Sequence, residues 1–150
     1  MGIALLALSL ILVGGPAPAQ EKGCAPPPSL AAWAEADGPT TLTLGPVDTV
    51  AWRRAPEREP TSGSRGGVMA FTVAAAGVHQ VAIADSAWID VVGPDGFVAS
   101  VEHGHGDPCT GIRKIVAFDL TPGDYVLQLS GAEAESTHVL IAPRPTEDGR

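Results

Sequence analysis

The stretch from Glu102 to Cys109 (EHGHGDPC) holds two of the four histidines and one of the two cysteines of this chain. Imidazole nitrogen, carboxylate oxygen and thiolate sulfur are the donors that Zn²⁺ and Cu²⁺ take. If the backbone stays extended, His103 and His105 share one face of a strand. Glu102, Asp107 or a reduced Cys109 could then complete a set of three or four ligands. The competing reading is a glycine-rich loop held by a disulfide. A cysteine that is oxidised cannot also be a thiolate ligand, so the two readings exclude each other at Cys109.

Other reactive constellations are scarce. No serine lies in a nucleophile elbow, since Gly63-Ser64-Arg65-Gly66 lacks the strand-turn-helix context. A blue-copper site needs histidine, and usually methionine, soon after its cysteine, but Thr110-Gly111-Ile112-Arg113-Lys114 follows Cys109. Four histidines are too few for a copper–zinc dismutase. His79 and His138 read as surface strand residues. Trp52, Trp88 and Phe97 suit core packing or edge cover, with a carbohydrate-binding face as the alternative. Arg53, Arg54, Arg58 and Arg65 cluster in one polar stretch with Glu57 and Glu59 interleaved, which reads as a solvated loop in preference to an anion site. No catalytic residue is assigned.

Compartment decides how the cysteines are read. Ile3 to Val13 is an apolar run of signal-peptide length, and Ala17-Pro18-Ala19 supplies small residues before a cut ahead of Gln20. The run is too short for a permanent membrane span. Residues 1–19 are therefore expected to be a signal peptide, and the mature chain to be periplasmic or secreted with no membrane attachment. In that setting Cys24 and Cys109 are expected to form a disulfide. All 17 acidic and 9 basic residues lie beyond Ala19, so the mature chain carries a formal charge of −8. That excess argues against a nucleic-acid partner, which would need a basic stripe.

The elements that must position these residues are strands. A proline-rich arm spans 20–39, with helical composition only from Ser29 to Ala36, where Ser29 could cap and Gly38-Pro39 would end the helix. From residue 40 to 142 short runs alternate between turn signals. Strands are expected at Thr40–Leu44, Val47–Arg53, Val68–Val73, Val78–Ala84, Ala87–Val92, Phe97–Val101, Ile112–Leu120, Tyr125–Leu129 and Thr137–Ala142. The polar loop 55–67 divides the second from the third. Gly93-Pro94-Asp95-Gly96 is a hairpin turn in which Pro94 presets φ and Gly96 accepts a left-handed conformation. A polar tail closes the chain at 143–150. About eight or nine antiparallel strands with almost no helix predict an all-β, single jelly-roll-like β-sandwich, with the His103–His105 segment in the connection between two strands.

Three segments resemble the bacterial pre-peptidase C-terminal domain. They are Phe71 to Gly77, Trp88 to Val92 with Pro94-Asp95-Gly96, and Phe118 to Gly131 (FDLTPGDYVLQLSG). That resemblance implies a small domain appended to secreted enzymes, but its calcium-binding acidic residues have no clear match here. WIDVV, HGHGDPC and IRKIVAFDLTPGDYVLQLSG together look closer to short exported bacterial proteins of unestablished function. Some of those carry the name homogentisate 1,2-dioxygenase, which implies a cupin-like iron site of two histidines and a carboxylate. His103-Gly104-His105 resembles its HxH element. The glutamate due three or four residues later is replaced by Pro108, Cys109 and Thr110, and the later histidine by Asp124, Tyr125 and Val126.

The expectation is thus an exported, non-enzymatic binding or accessory module without a cofactor, recognising an unidentified protein or small ligand. The alternative is a small Zn or Cu protein using His103 and His105, with Glu102 and Asp107 as further candidates. The lesser alternative is a cupin-like iron dioxygenase.

Overall fold

Alternating residues and frequent turns build a jelly roll. The structure, a computed structural model, describes residues 24–146, so the expected signal peptide and the last four residues of the polar tail, 147–150, lie outside the described residues. The strands are β1 (Thr40–Thr43), β2 (Gly45–Pro46), β3 (Arg65–Val73), β4 (Gly77–Ile83) and β5 (Trp88–Gly93), followed by β6 (Gly96–Phe97), β7 (Ser100–Gly104), β8 (Lys114–Leu120), β9 (Gly123–Ala132) and β10 (Ser136–Pro143). One sheet, here the front sheet, has the order β1-β10-β4-β8-β7, and the back sheet has the order β2-β3-β9-β5-β6. Strands pair from the outside of the chain inward: β1 with β10, β3 with β9, β4 with β8, β5 with β6, all antiparallel. That is the winding of a jelly roll.

Side chains at every second position of the central strands meet between the sheets. Val81 and Ile83 of β4, Val91 of β5, Phe118 of β8, and Leu127 and Leu129 of β9 are buried in this main core. Tyr125 turns the chain into β9: its hydroxyl donates to the Thr121 carbonyl at 2.8 Å, and the Thr121 amide donates back to it at 3.2 Å. Gly96 has φ of +116°, as the hairpin turn requires.

Antiparallel sandwiches usually leave their outer faces to water. Here both outer faces are covered, which is why β4 is buried at every position from His79 to Ile83. Over the front sheet lies the N-terminal arm. Its Leu30 and Trp33 pack with Ala82, Ile112 and Leu140 in a second apolar cluster. Trp33 Nε1–H donates to the Thr110 carbonyl at 3.1 Å, and Cys24 is joined to Cys109 with the Cα atoms 5.6 Å apart. The expected disulfide is present, so Cys109 is not a thiolate. Over the back sheet lies the segment following β2.

Several expected elements are corrected. Val47 to Arg53 is not a strand: Val47–Thr49 is a single 3₁₀ turn. The Thr49 hydroxyl donates to the Pro46 carbonyl and the Trp52 indole N–H to the Val47 carbonyl, so local side-chain bonds curl this segment away from any ladder. The arm's helix is a 3₁₀ helix at Pro28–Ala34, begun by Pro28 and not capped by Ser29. His79 is buried, with its Nδ1 2.9 Å from the Gly77 carbonyl. Phe97–Val101 is broken into β6 and β7, and β3 begins three residues early, at Arg65.

Candidate functional site

Edge strand β7 separates the residues the sequence had grouped. His103 sits opposite Val116 in the β7–β8 ladder and lines a cleft between the two sheets. Glu102 is opposite Ala117, where its carboxylate accepts from the Arg144 guanidinium at 2.8 Å. The strand ends at Gly104, so the strict alternation that would place His105 beside His103 stops one residue short. His105 Nδ1 donates to the Arg113 carbonyl at 2.9 Å, and His105 lines a different pocket, shared with Glu102. Asp107 opens a 3₁₀ turn at Pro108–Thr110, its carbonyl accepting from the Thr110 amide and hydroxyl. Among the described residues no group of three or more His, Cys, Asp or Glu gathers in positions to hold a metal ion. The residues named for zinc, copper or iron are therefore dispersed over two faces of one strand and the loop after it.

A different constellation forms at the open side of the sandwich. The cleft there has a volume of about 240 Å³. Ile89, Val98 and Phe118 form its apolar wall, and Glu57, Asp90, His103 and Lys114 bring polar groups to it. Lys114 follows the inward parity of Val116 and Phe118 on β8. From the front sheet its ammonium reaches across to the back sheet and donates to the Ala87 carbonyl at 2.9 Å. It also lies over the Trp88 ring, 5.5 Å from the centroid, and the Arg58 guanidinium lies over the same ring at 5.6 Å. Burial first, and the Arg58 charge second, hold the Lys114 pKa below its ordinary 10.5. Neither cation has a carboxylate partner within salt-bridge distance among the described residues, where the ion pairs are Arg65–Glu135 and Arg144–Glu102.

The wall of this site depends on two polar side chains that point outward from the back sheet. Asp90 and Gln128 are ladder partners on β5 and β9, only 3% and 1% exposed. Gln128 Oε1 accepts from the Arg53 and Arg54 amides at 2.8 and 3.1 Å, and its Nε2 donates to the Arg54 carbonyl at 3.0 Å. Asp90 Oδ2 accepts from the Glu57 amide at 3.0 Å, and Oδ1 from the Trp88 indole N–H at 2.8 Å. The Arg54 guanidinium lies over Phe97 at 5.8 Å from its centroid. At Gly66 a Cβ would meet the Trp52 ring and the Leu129 carbonyl, both at 2.5 Å, so glycine is what lets Trp52 fold onto the sheet. The arginine-rich stretch read as a solvated loop does expose Arg53, Arg54 and Arg58, but its backbone is pinned to the sheet as a strap that lays Arg58 over the Trp88 ring beside the cleft.

Sequence reasoning missed Asp90, Lys114 and Gln128. The available signal was a polar residue inside each otherwise apolar strand (WIDVV, YVLQLS) together with a long connection lacking secondary structure of its own, a combination that points to a functional or tethered loop. One further buried polar group is Gln80, on the outer face of β4. Its Oε1 is buried with no hydrogen-bond partner among the described residues. Gln80→Met keeps the shape and removes that unpaired acceptor, so it should raise the unfolding free energy by about 1 kcal/mol or more. A thermal melt checks this, and a lowered midpoint would show that Gln80 is paired.

The fold is a jelly-roll β-sandwich with a cleft at its open side, where Lys114 and Arg58 share the Trp88 ring. Comparison with family models, curated proteins and solved structures finds no significant match.

Proposed function

We propose that the chain is an exported, non-enzymatic binding module that takes a small carboxylate with an apolar body in the cleft at Trp88 and Lys114. The observation that carries this reading is the pair of cations, Lys114 and Arg58, sharing one indole ring with neither in an ion pair among the described residues, although Glu57 and Asp90 also line the cleft. Holding two like charges together in a chain of net charge −8 costs free energy, and an anion at the mouth of the cleft offsets that cost. The apolar wall of Ile89, Val98 and Phe118 suits the body of such a ligand, in the usual manner of a concave site with few polar anchors. The zinc, copper and iron readings have no comparable support, because their named ligands do not converge.

Titration with benzoate, read by tryptophan fluorescence, tests the proposal, with benzyl alcohol as the neutral control and Trp88→Phe to assign the signal. Saturable benzoate binding is expected, weakened about tenfold or more in Lys114→Met, as for loss of a charge-assisted contact. Equal binding of benzyl alcohol, or unchanged affinity in Lys114→Met, would overturn it. The pH dependence has a definite sign. Lys114 is charged below its lowered pKa, so affinity should fall as pH rises through that value, below 10.5. Stability should move the other way. Between the lowered value and 10.5 the unfolded chain binds more protons, so unfolding free energy rises with pH there, and Lys114→Met should flatten that slope.

A further inference from the structure

Unpaired backbone lines the cleft beside Lys114. β5 pairs with β9 from Trp88 to Val92, but with β6 only at Val92 and Gly93. The Val98 amide extends that hairpin by donating to the Val91 carbonyl at 2.9 Å, and the chain then leaves for β7 in the front sheet. In an antiparallel ladder the backbone groups of successive residues point to alternate sides. Val91 points to the β6 side, so Ile89 does too, with its N–H and C=O directed away from β9. The Ala87 carbonyl follows the same parity and accepts from Lys114 Nζ at 2.9 Å. Neither the N–H nor the C=O of Ile89 has a hydrogen-bond partner among the described residues. Ile89 is 6% exposed and lines the cleft, so this orphaned rung must be met there by water or by a ligand.

We infer that the rung takes an N-acylated L-amino acid with a free carboxylate and an apolar side chain, an inference that rests on the carboxylate reading of the cleft. A residue laid antiparallel opposite Ile89 gives its amide N–H to the Ile89 carbonyl and accepts the Ile89 N–H on its carboxylate, as when an extended segment adds to a free sheet edge. In that direction the carboxylate lies toward Ala87, where the Lys114 ammonium sits. A parallel residue would carry its carboxylate away from Lys114. Directly opposed residues share one face of a sheet, and Ile89 belongs to the main core. The ligand's side chain therefore enters between the sheets, against Val98 and Phe118. At about 240 Å³ the cleft is smaller than the roughly 300–1,000 Å³ of sites for drug-sized ligands, which limits the buried part to one residue. The acidic lining is turned elsewhere: the Asp90 carboxylate accepts from the Glu57 amide and the Trp88 indole, and Glu57 is exposed to solvent. A free N-acyl amino acid and the C-terminus of a peptide share this chemistry.

NMR titration of the isotope-labelled protein, with hydrogen exchange read at the Ile89 amide, tests the assignment. The probes are N-acetyl-L-leucine, its D enantiomer, isocaproate (the same acid without the amide) and N-acetyl-L-leucinamide (the same amide without the acid). N-acetyl-L-leucine should bind about fivefold or more tighter than isocaproate, the effect of one added hydrogen bond, and should slow exchange of the Ile89 amide. The D enantiomer should lose that gain, because its side chain turns away from the cleft when both backbone groups are held. Acetyl-glycyl-seryl-leucine separates the two sources. Tighter binding than N-acetyl-L-leucine assigns the cleft to a peptide C-terminus, and equal or weaker binding to a free N-acyl amino acid; both support the inference. N-acetyl-L-leucine binding no tighter than isocaproate, equal affinity for the two enantiomers, or unchanged Ile89 exchange at saturation would overturn it while leaving carboxylate binding at Lys114 intact. If N-acetyl-L-leucinamide binds as tightly as the acid, or if no acid binds, benzoate included, the carboxylate reading fails and this inference with it.

Discussion

Reducing the Cys24–Cys109 bond should lower the unfolding free energy by roughly 4–5 kcal/mol, the chain-entropy value for a crosslink of this span. The two cysteines are 85 positions apart, so the bond closes a loop running through most of the domain and removes many conformations from the unfolded chain. The folded state should change less than the unfolded one. With the bond open, Leu30 remains buried against Ala82, Ile112 and Leu140, and Trp33 keeps its hydrogen bond to Thr110. Urea unfolding of the oxidised and reduced protein, with Cys24→Ser/Cys109→Ser as the non-reducible check, measures the difference. A loss below about 1 kcal/mol would show that the arm already restrains the unfolded chain without the bond. Combining the reduced state with Leu30→Ala should release the arm altogether, because the covalent and the apolar anchor are then both gone.

How much of this architecture can be read from the chain follows from which interactions are periodic. The jelly roll was legible because Val81 and Ile83, or Leu127 and Leu129, recur at a period of two between turns such as Pro94-Asp95-Gly96. The crosslink was legible from the cysteine count together with the expectation of export. The edge position of His103 was not, because Glu102-His103-Gly104 is polar and exposed at every residue and carries no alternation. Val47 to Arg53 imitated a strand by spacing alone, and the bonds from Thr49 and Trp52 that curl it are specific to side-chain chemistry that pattern does not register. The cationic cleft was hidden for a related reason. Lys114 is in register with the inward-facing Val116 and Phe118, but a lysine there signals a boundary only once the facing sheet, with Ala87 and Trp88, is known. Outward polar residues such as Asp90 ordinarily mark a wet face, and only a non-periodic cover over the sheet changes their meaning.

That cover makes Asp90→Ala the substitution with the largest expected effect on the site. The carboxylate bridges two N–H groups, the Glu57 amide and the Trp88 indole, in a place only 3% exposed. Hydrogen bonds to a charged group contribute about 1.5–3 kcal/mol each, and part of the loss is recovered when the freed donors meet water, so a net loss of about 2–4 kcal/mol is expected. The damage should be local in pattern. Gln128 still holds the strap at Arg53 and Arg54, so the segment should come loose from Glu57 onward, and Arg58 with it. Amide hydrogen exchange reads this directly: protection at Glu57 should vanish while that at Arg53 and Arg54 persists. Asp90→Asn keeps one acceptor and should cost about half as much. Freed from its indole bond and from the Arg58 charge, Trp88 should report the change in fluorescence, and benzoate affinity should drop with it. If Asp90→Ala instead leaves Glu57 protected, the strap is held by its other contacts, and Asp90 has no part in holding Arg58 over Trp88.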